Sequence, residues 1–250
     1  ANMIQALSRG ELAESTEGAE LNYPLTAKRV VKKTAILLVL SDKGLVGSFN
    51  SNVIRRFEKY CKEEGIDRLA DHSELAFVIV GQKGAEYITK KGGNIEKIFT
   101  NFSDVMELGD VTELATLLAD GYAAGKWDRV VAFTTNFVSA LKQETIVAEL
   151  LPLSVEKIRQ AVEDIIPETG RYAELKTKIV TGRSAKPIDY IIEPSPVEVI
   201  AELLPALFQM QVYHLALEAN ASEHSARRMA MKNATDNAKD IINDLTLLFN

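Results

Sequence analysis

The stretch SEHSARRMAMKNATDNAKDIINDLTLLFN, residues 222–250, ends the sequence with no glycine and no proline, and neither occurs from Ala206 onward. A helix without stop signals over that length needs something outside this chain to pack against. Its start is legible upstream. In Ser195-Pro196-Val197-Glu198, serine can cap, proline suits the first helical position, and the glutamate three residues on completes a capping box. Pro205 is the interior breaker, where a kink is expected. A helix over 196–250 would be a rod on the order of 80 Å, and a compact domain of this size is not expected to bury it along its length.

One stripe runs along the rod through Ile200, Leu204, Phe208, Val212, Leu215, Ala219, Ser222, Ala226, Ala230, Ala234, Ala238, Ile241, Leu245 and Leu248. Its steps average about 3.7 residues, close to the free helix period, which predicts gentle supercoiling against a partner helix. Four successive alanines, Ala226 to Ala238, let two backbones come close but bury little area. Close helix packing and a surface that slips past a partner both fit them. The outer face carries Arg227, Arg228, Lys232 and Lys239 among Glu223, Asp236 and Asp240, the mixture of an ordinary solvated helix face.

Before the rod, strand and helix patterns alternate. KKTAILLVLSDKG holds a continuous apolar run of strand length, as in a buried parallel strand. SFNSNVIRRFEKYCKEEG follows, with Val53, Ile54, Phe57, Tyr60 and Cys61 on one helical face. LAFVIV (75–80), IEKIFT and DRVVAFTT read as further strands, and KGAEYITKKGG and VTELATLLADGYAAG as helices. FVSALKQETIVAELLPL reads as an added strand pair, SVEKIRQAVEDII as a helix, and residues 188–193 of PIDYIIEPSP as one more strand. Such alternation predicts an α/β fold, a parallel or mixed sheet with helices on both faces. At the other end, Met3, Ile4 and Leu7 before Gly10 read as the end of an amphipathic helix.

The 250 residues are 46% hydrophobic and 26% charged, as in a globular protein. The net charge of −6 argues against nucleic acid. A single cysteine, Cys61, rules out an internal disulfide and suits a reducing compartment. The run AILLVL is far short of the ~20 residues that span a bilayer. The sequence opens without a methionine, so it is expected to begin inside a longer chain.

Chemical motifs are weak. SDKGLVGSFNSN sits between strand and helix, where phosphate loops occur, yet it lacks both the third glycine of a dinucleotide loop and a Gly-Lys-Ser/Thr ending. A tight strand-to-helix turn is the plainer reading. His72, His214 and His224 have no metal-ligand spacing, and no nucleophile motif is present. No catalytic residue, cofactor site or metal site is read from the residues. A small-molecule-binding α/β protein with a helical oligomerisation arm, and a helical adaptor without ligand, stay open at this point.

SDKGLVGSFN after the first strand, DYIIEPSP before the rod and SEHSARRMAMKNATDNA within it resemble the gamma subunit of F-type ATP synthases, the central rotor shaft. The resemblance runs from about residue 30 to the end. It implies a Rossmann-like α/β domain (30–194) flanked by two long helices in an antiparallel coiled coil, of which 1–10 is the end of the N-terminal one and 195–250 the C-terminal one. Parts of both helices are absent from the sequence given. It further implies a non-catalytic subunit, without cofactors, that couples proton or sodium flow to ATP synthesis. The implied partners are the alpha and beta subunits, the epsilon subunit and the membrane c-ring. Arg227, with Arg228, Met231 and Lys232, would meet an acidic loop of the catalytic beta subunit, while Tyr190 and Glu193 would face the ring and epsilon. Val46 stands where the family also carries a cysteine, and the cysteine-bearing regulatory loop of chloroplast members is missing. The implied location is peripheral, on the cytoplasmic face of a bacterial inner membrane, with the mitochondrial matrix side as the alternative.

Overall fold

The computed structural model describes residues 23–102, 105–153 and 196–249, and in the last helix the side chains from residue 202 onward. Its centre is β1 (Thr34–Val39), buried at all six positions. A strand covered on both faces must be apolar throughout, which is why TAILLV shows no alternation. β1 is parallel to β2 (Leu75–Val80) on one side and to β4 (Arg129–Phe137) on the other. β3 (Ile95–Phe99) lies parallel beyond β2, and β5 (Gln143–Leu151) antiparallel beyond β4, giving the order β3-β2-β1-β4-β5. The sheet is therefore mixed, and the winding reverses at β1 as in doubly wound folds.

Alternate residues of the strands feed two cores. Ile36, Leu38, Phe77, Ile79, Val131 and Phe133 meet α1 (Phe49–Glu63) through Val53, Phe57 and Cys61, and α2 (Gln82–Lys90) through Ile88. Phe57 packs edge-on against Phe77 and Phe133, with centroids 5.8 and 5.3 Å away. On the opposite face, Leu37, Val39, Val78, Val80, Val130 and Ala132 meet α3 (Thr112–Ala123) through Leu114, Leu118 and Tyr122. That face is completed by α4 (Pro196–Phe249), a helix of 54 residues. Helices thus cover both faces, as the alternation predicts. At the β2–α2 turn, Gly81 has φ +93°, and a Cβ there would lie 2.1 Å from the Leu40 carbonyl oxygen. No other residue fits that crossing.

α4 changes one expectation. It continues unbroken through Pro205, which is exposed. Leu204, Phe208, Val212, Leu215, Ala216, Ala219 and Ser222 are buried on the sheet and α3. Two polar contacts fix this seat: the Tyr213 hydroxyl donates to the Met106 carbonyl at 3.0 Å, and the Gln209 amide to Thr112 Oγ1 at 2.8 Å. The rod's first half therefore has its partner within the chain, where an outside partner is the expectation from length alone. From Met231 to Phe249 every residue is exposed.

The added strand pair is also corrected. β4 runs on through Phe137 because VVAFTTNF is rich in β-branched and aromatic residues, with neither glycine nor proline to end it. A turn closed by Ser139 N–H to Lys142 O (2.9 Å) and Lys142 N–H to Ser139 O (3.1 Å) then leads into β5 alone. The helix expected over 155–165, the strand over 188–193 and the helix end over 1–10 lie outside the described residues.

Two outcomes follow. Phe208→Ala empties a site that is 1% exposed, costing about 3–5 kcal/mol and lowering Tm by roughly 10 °C, whereas Phe249→Ala, at a position 91% exposed, leaves Tm nearly unchanged. Equal melting of the two variants in calorimetry would place the seat elsewhere. Separately, the Asp128 carboxylate accepts the backbone N–H groups of Lys32 and Lys33, which hold its pKa below the ordinary carboxylate value. A depressed folded-state pKa contributes stability above the unfolded value, near ~3.9, that fades as pH falls through the folded value. The urea-denaturation difference between the parent and Asp128→Asn should shrink from neutral pH to roughly pH 3. A difference independent of pH would contradict this.

Candidate functional site

The place where α4 leaves the domain is built by two loops. The turn between β1 and α1 puts Leu45 at φ 63° and Gly47 at φ 56°. Gly47 faces the helix, with the position of a Cβ 3.9 Å from Ala230 Cβ and 4.0 Å from the Ala226 carbonyl oxygen. On another side the β4–β5 turn approaches, and the Ser225 hydroxyl donates to the Ala140 carbonyl at 2.8 Å. The small side chain of Ala230 lets a backbone turn lie this close to the helix. The first half of the alanine row therefore has a use inside the chain. Leu45 itself is 78% exposed at the tip of the turn, a left-handed conformation that is rare without glycine.

Arg227 lies at this exit. Its Nη2 is 2.5 Å from Glu223 Oε1 one turn earlier, and its side chain is one-quarter exposed. It also lines a cleft of about 270 Å³ at the carboxyl ends of β1 and β2, together with Asp42, Lys43, Asn101 and Phe102. Arg228 and Lys232 are exposed, and Met231 is 54% exposed. The helix brings all four together, since 227 and 231, and 228 and 232, are four residues apart. Tyr190 and Glu193 lie outside the described residues. The i,i+4 spacing of Glu223 and Arg227 was the readable signal of an internal partner, while the Gly47 and Ser225 contacts join segments far apart in sequence and left no local signal.

The SDKGLVGSF turn is bonded within itself. Ser41 N–H donates to Asn50 Oδ1 at 3.0 Å, Asn50 Nδ2 to Ser41 Oγ at 2.7 Å, and Ser41 Oγ to the Lys43 carbonyl at 2.7 Å. Asp42 Oδ1 accepts Gln82 N–H at the start of α2 (2.9 Å), and Oδ2 accepts Asn101 N–H after β3 (2.7 Å). The start of α2, a helix N-terminus of the kind that attracts anions, thus already holds the chain's own carboxylate. Cys61 is buried, and burial pushes its thiol up to about 11, so it is a packing residue with little thiolate at neutral pH. His214 pairs with Glu218 at 3.1 Å and His72 with Glu74. Among the described residues there is no group of three ligating side chains fit for a metal, and no helix is long and apolar enough to cross a membrane.

Asp42→Ala strips two backbone N–H groups of their acceptor and should cost about 1–2 kcal/mol. Inorganic phosphate should then raise the Tm of the variant more than that of the parent, because the anion position at α2 is vacated. Equal shifts would mean that the carboxylate does not occupy an anion seat.

A family model described as ATP synthase matches residues 1–250. The ATP synthase gamma chain of Pelotomaculum thermopropionicum is 34% identical over 241 residues, covering 96% of this chain and 74% of that one. That of Moorella thermoacetica is 38% identical over 227 residues, covering 91% and 69%. In fold, the chain is similar to a chain of the central stalk and c-ring of the Tetrahymena thermophila mitochondrial ATP synthase (TM-score 0.58, 20% identity, 94% of each chain covered). It is similar too to a chain of the rotor of the Euglena gracilis mitochondrial ATP synthase (TM-score 0.55, 16% identity, 98% of this chain and 87% of that one). With the family model matching end to end and relatives of this identity covered over more than two thirds of their length, the chain belongs to the ATP synthase gamma-chain family.

Proposed function

We propose that the bare half of α4 is the working surface of a rotor and the seated half its mounting. As an ATP synthase gamma chain, the protein is the rotor-shaft subunit and is non-catalytic. The observation that carries the mechanism is the change along one continuous helix, from buried positions at Leu204–Ser222, through mostly half-buried ones, to exposed ones from Met231 onward. A rigid, off-centre body turning inside a ring of binding sites favours a different conformation at each site. By linkage, occupancy of those sites then biases the angle of the shaft.

In this reading residues 195–250 are the C-terminal shaft helix, 30–194 the α/β domain, and 1–10 the end of the N-terminal shaft helix. The partners are the alpha and beta subunits around the shaft, and the epsilon subunit and the membrane ring at the foot, where Tyr190 and Glu193 sit. The assembly is peripheral on the cytoplasmic face of a bacterial inner membrane, or on the matrix side in a mitochondrion. Arg227, Arg228, Met231 and Lys232 form the contact with an acidic loop of the catalytic beta subunit. Support comes from their position at the helix exit and from the exposure of Arg228, Met231 and Lys232. Arg227 must exchange its carboxylate partner, Glu223, to engage another, which makes the contact a reversible catch.

In a full-length version reconstituted in vesicles, Arg227→Ala should reduce ATP-driven ion pumping by roughly two- to fivefold, as for an ion pair worth ~0.5–1 kcal/mol. Glu223→Gln should shift the catch the other way, lengthening the dwell at which it engages. Unchanged ATPase and pumping in both variants would remove Arg227 from the mechanism.

A further inference from the structure

We propose that residues 23–33 are a fastened strap that carries load between the N-terminal segment and the α/β domain, with Arg29, Tyr122 and Asp128 as its positioning residues. The inference rests on the rotor-shaft reading and adds a second load path to it. The strap, YPLTAKRVVKK, contains neither glycine nor serine, unlike a compliant linker. It forms neither helix nor strand, so without tertiary contacts it would twist freely.

Instead it is pinned along its length. Leu25 is 4% exposed within the α3–α4 core, and its carbonyl accepts Leu153 N–H at 2.8 Å. The Tyr122 hydroxyl donates to the Ala27 carbonyl at 2.5 Å. Arg29 Nη1 donates to the Tyr122 carbonyl at 2.9 Å, and its guanidinium lies 5.1 Å from the centroid of the Tyr122 ring. Lys32 and Lys33 N–H both reach Asp128 Oδ2 at 3.0 Å, and Asp128 N–H returns to the Lys33 carbonyl at 2.8 Å. Tyr122, fully buried on α3, is thus gripped at both its ring and its backbone.

The anchors are not scattered. Tyr122 lies in the last turn of α3, and Asp128 immediately precedes β4. α3 and β4 are also the elements on which α4 is seated, the former through the Gln209–Thr112 bond. Both chain segments that could transmit rotation are therefore tied to the same two elements. Neither can turn far without the other, and torque applied to the domain is shared between them.

The test uses the complete complex with full-length gamma, its hexamer fixed to a surface and a rod attached to the domain at Asp67→Cys. That site is exposed, whereas Cys61 is buried and escapes labelling. The readout is the angular variance of the rod during one nucleotide dwell, which measures torsional stiffness. Arg29→Ala releases one of the strap's several pins, so the variance should rise by less than the roughly two-fold that loss of a whole parallel spring would give, with unchanged dwell angles. Arg29→Lys should fall between, since it keeps the charge but not the planar fork. Should Arg29→Ala fail to assemble, Tyr122→Phe, which removes only the Ala27 bond, takes its place with a smaller increase. A variance equal to the parent's in every variant that assembles overturns the strap. A parent chain whose rod shows no stepped rotation overturns the shaft reading itself, and the load path with it.

Discussion

Everything else in this chain depends on burying one face of α4 against the β1–β4 side of the sheet. Leu204, Phe208, Val212 and Leu215 remove from water a sheet face that α3 alone does not cover. Each such side chain contributes about 1.5–3 kcal/mol of transfer free energy. The same contact converts a helix that is marginal by itself into a rigid extension of the domain, because its first turns are held by tertiary packing rather than by helix propensity. Take the seat away and the helix has no fixed axis, the two loops at its exit have nothing to lean on, and the cleft beneath Arg227 has no roof.

The seat is graded along its length. Large apolar groups lie at the lower end, and Ala216, Ala219, Ser222, Ala226 and Ala230 follow toward the exit. The helix is thus locked where leucine and phenylalanine interdigitate and closely approached, rather than locked, where backbone turns lie against it. The Ser222 hydroxyl is buried without a hydrogen-bond partner, as is that of Thr134 on β4, so the upper interface gives up polar satisfaction as well as area. The Ser225–Ala140 hydrogen bond is one contact other than burial that ties the exit of the helix to the domain.

Much of this was legible in the residues. The stripe from Leu204 to Ser222 follows from periodicity, the strands at 34–39, 75–80 and 95–99 from short apolar runs, and the two-sided covering of the sheet from the alternation of strands and helices. The identity of the surface that meets the stripe does not, because an apolar row states that it must be covered and is silent about what covers it. FVSALKQETIVAELLPL adds one strand, β5, where its pattern suggests two, because Phe137 continues β4 instead of opening another. Asp42 escaped notice for a different reason: its partners at Gln82 and Asn101 are 40 and 59 residues away, and a single aspartate in a turn carries no mark of what it will cap.

The alanine row illustrates how far residue size can be pushed as an argument. Read alone, four small residues on a helix suit tight packing and sliding equally. The structure separates the row into two parts, since Ala226 and Ala230 lie against the Gly47 turn while Ala234 and Ala238 are exposed. The first pair meets an internal contact, through the Ala226 carbonyl and the Ala230 methyl, and a larger side chain at 230 would lift the turn that bears Leu45. Only the second pair is available to a partner, and it lies beyond the positive cluster of Arg227, Arg228 and Lys232. In the proposed rotor reading the charged collar would set the angle at which a partner engages, and the small-residue track would let it come close without adding much area that has to be broken to move on.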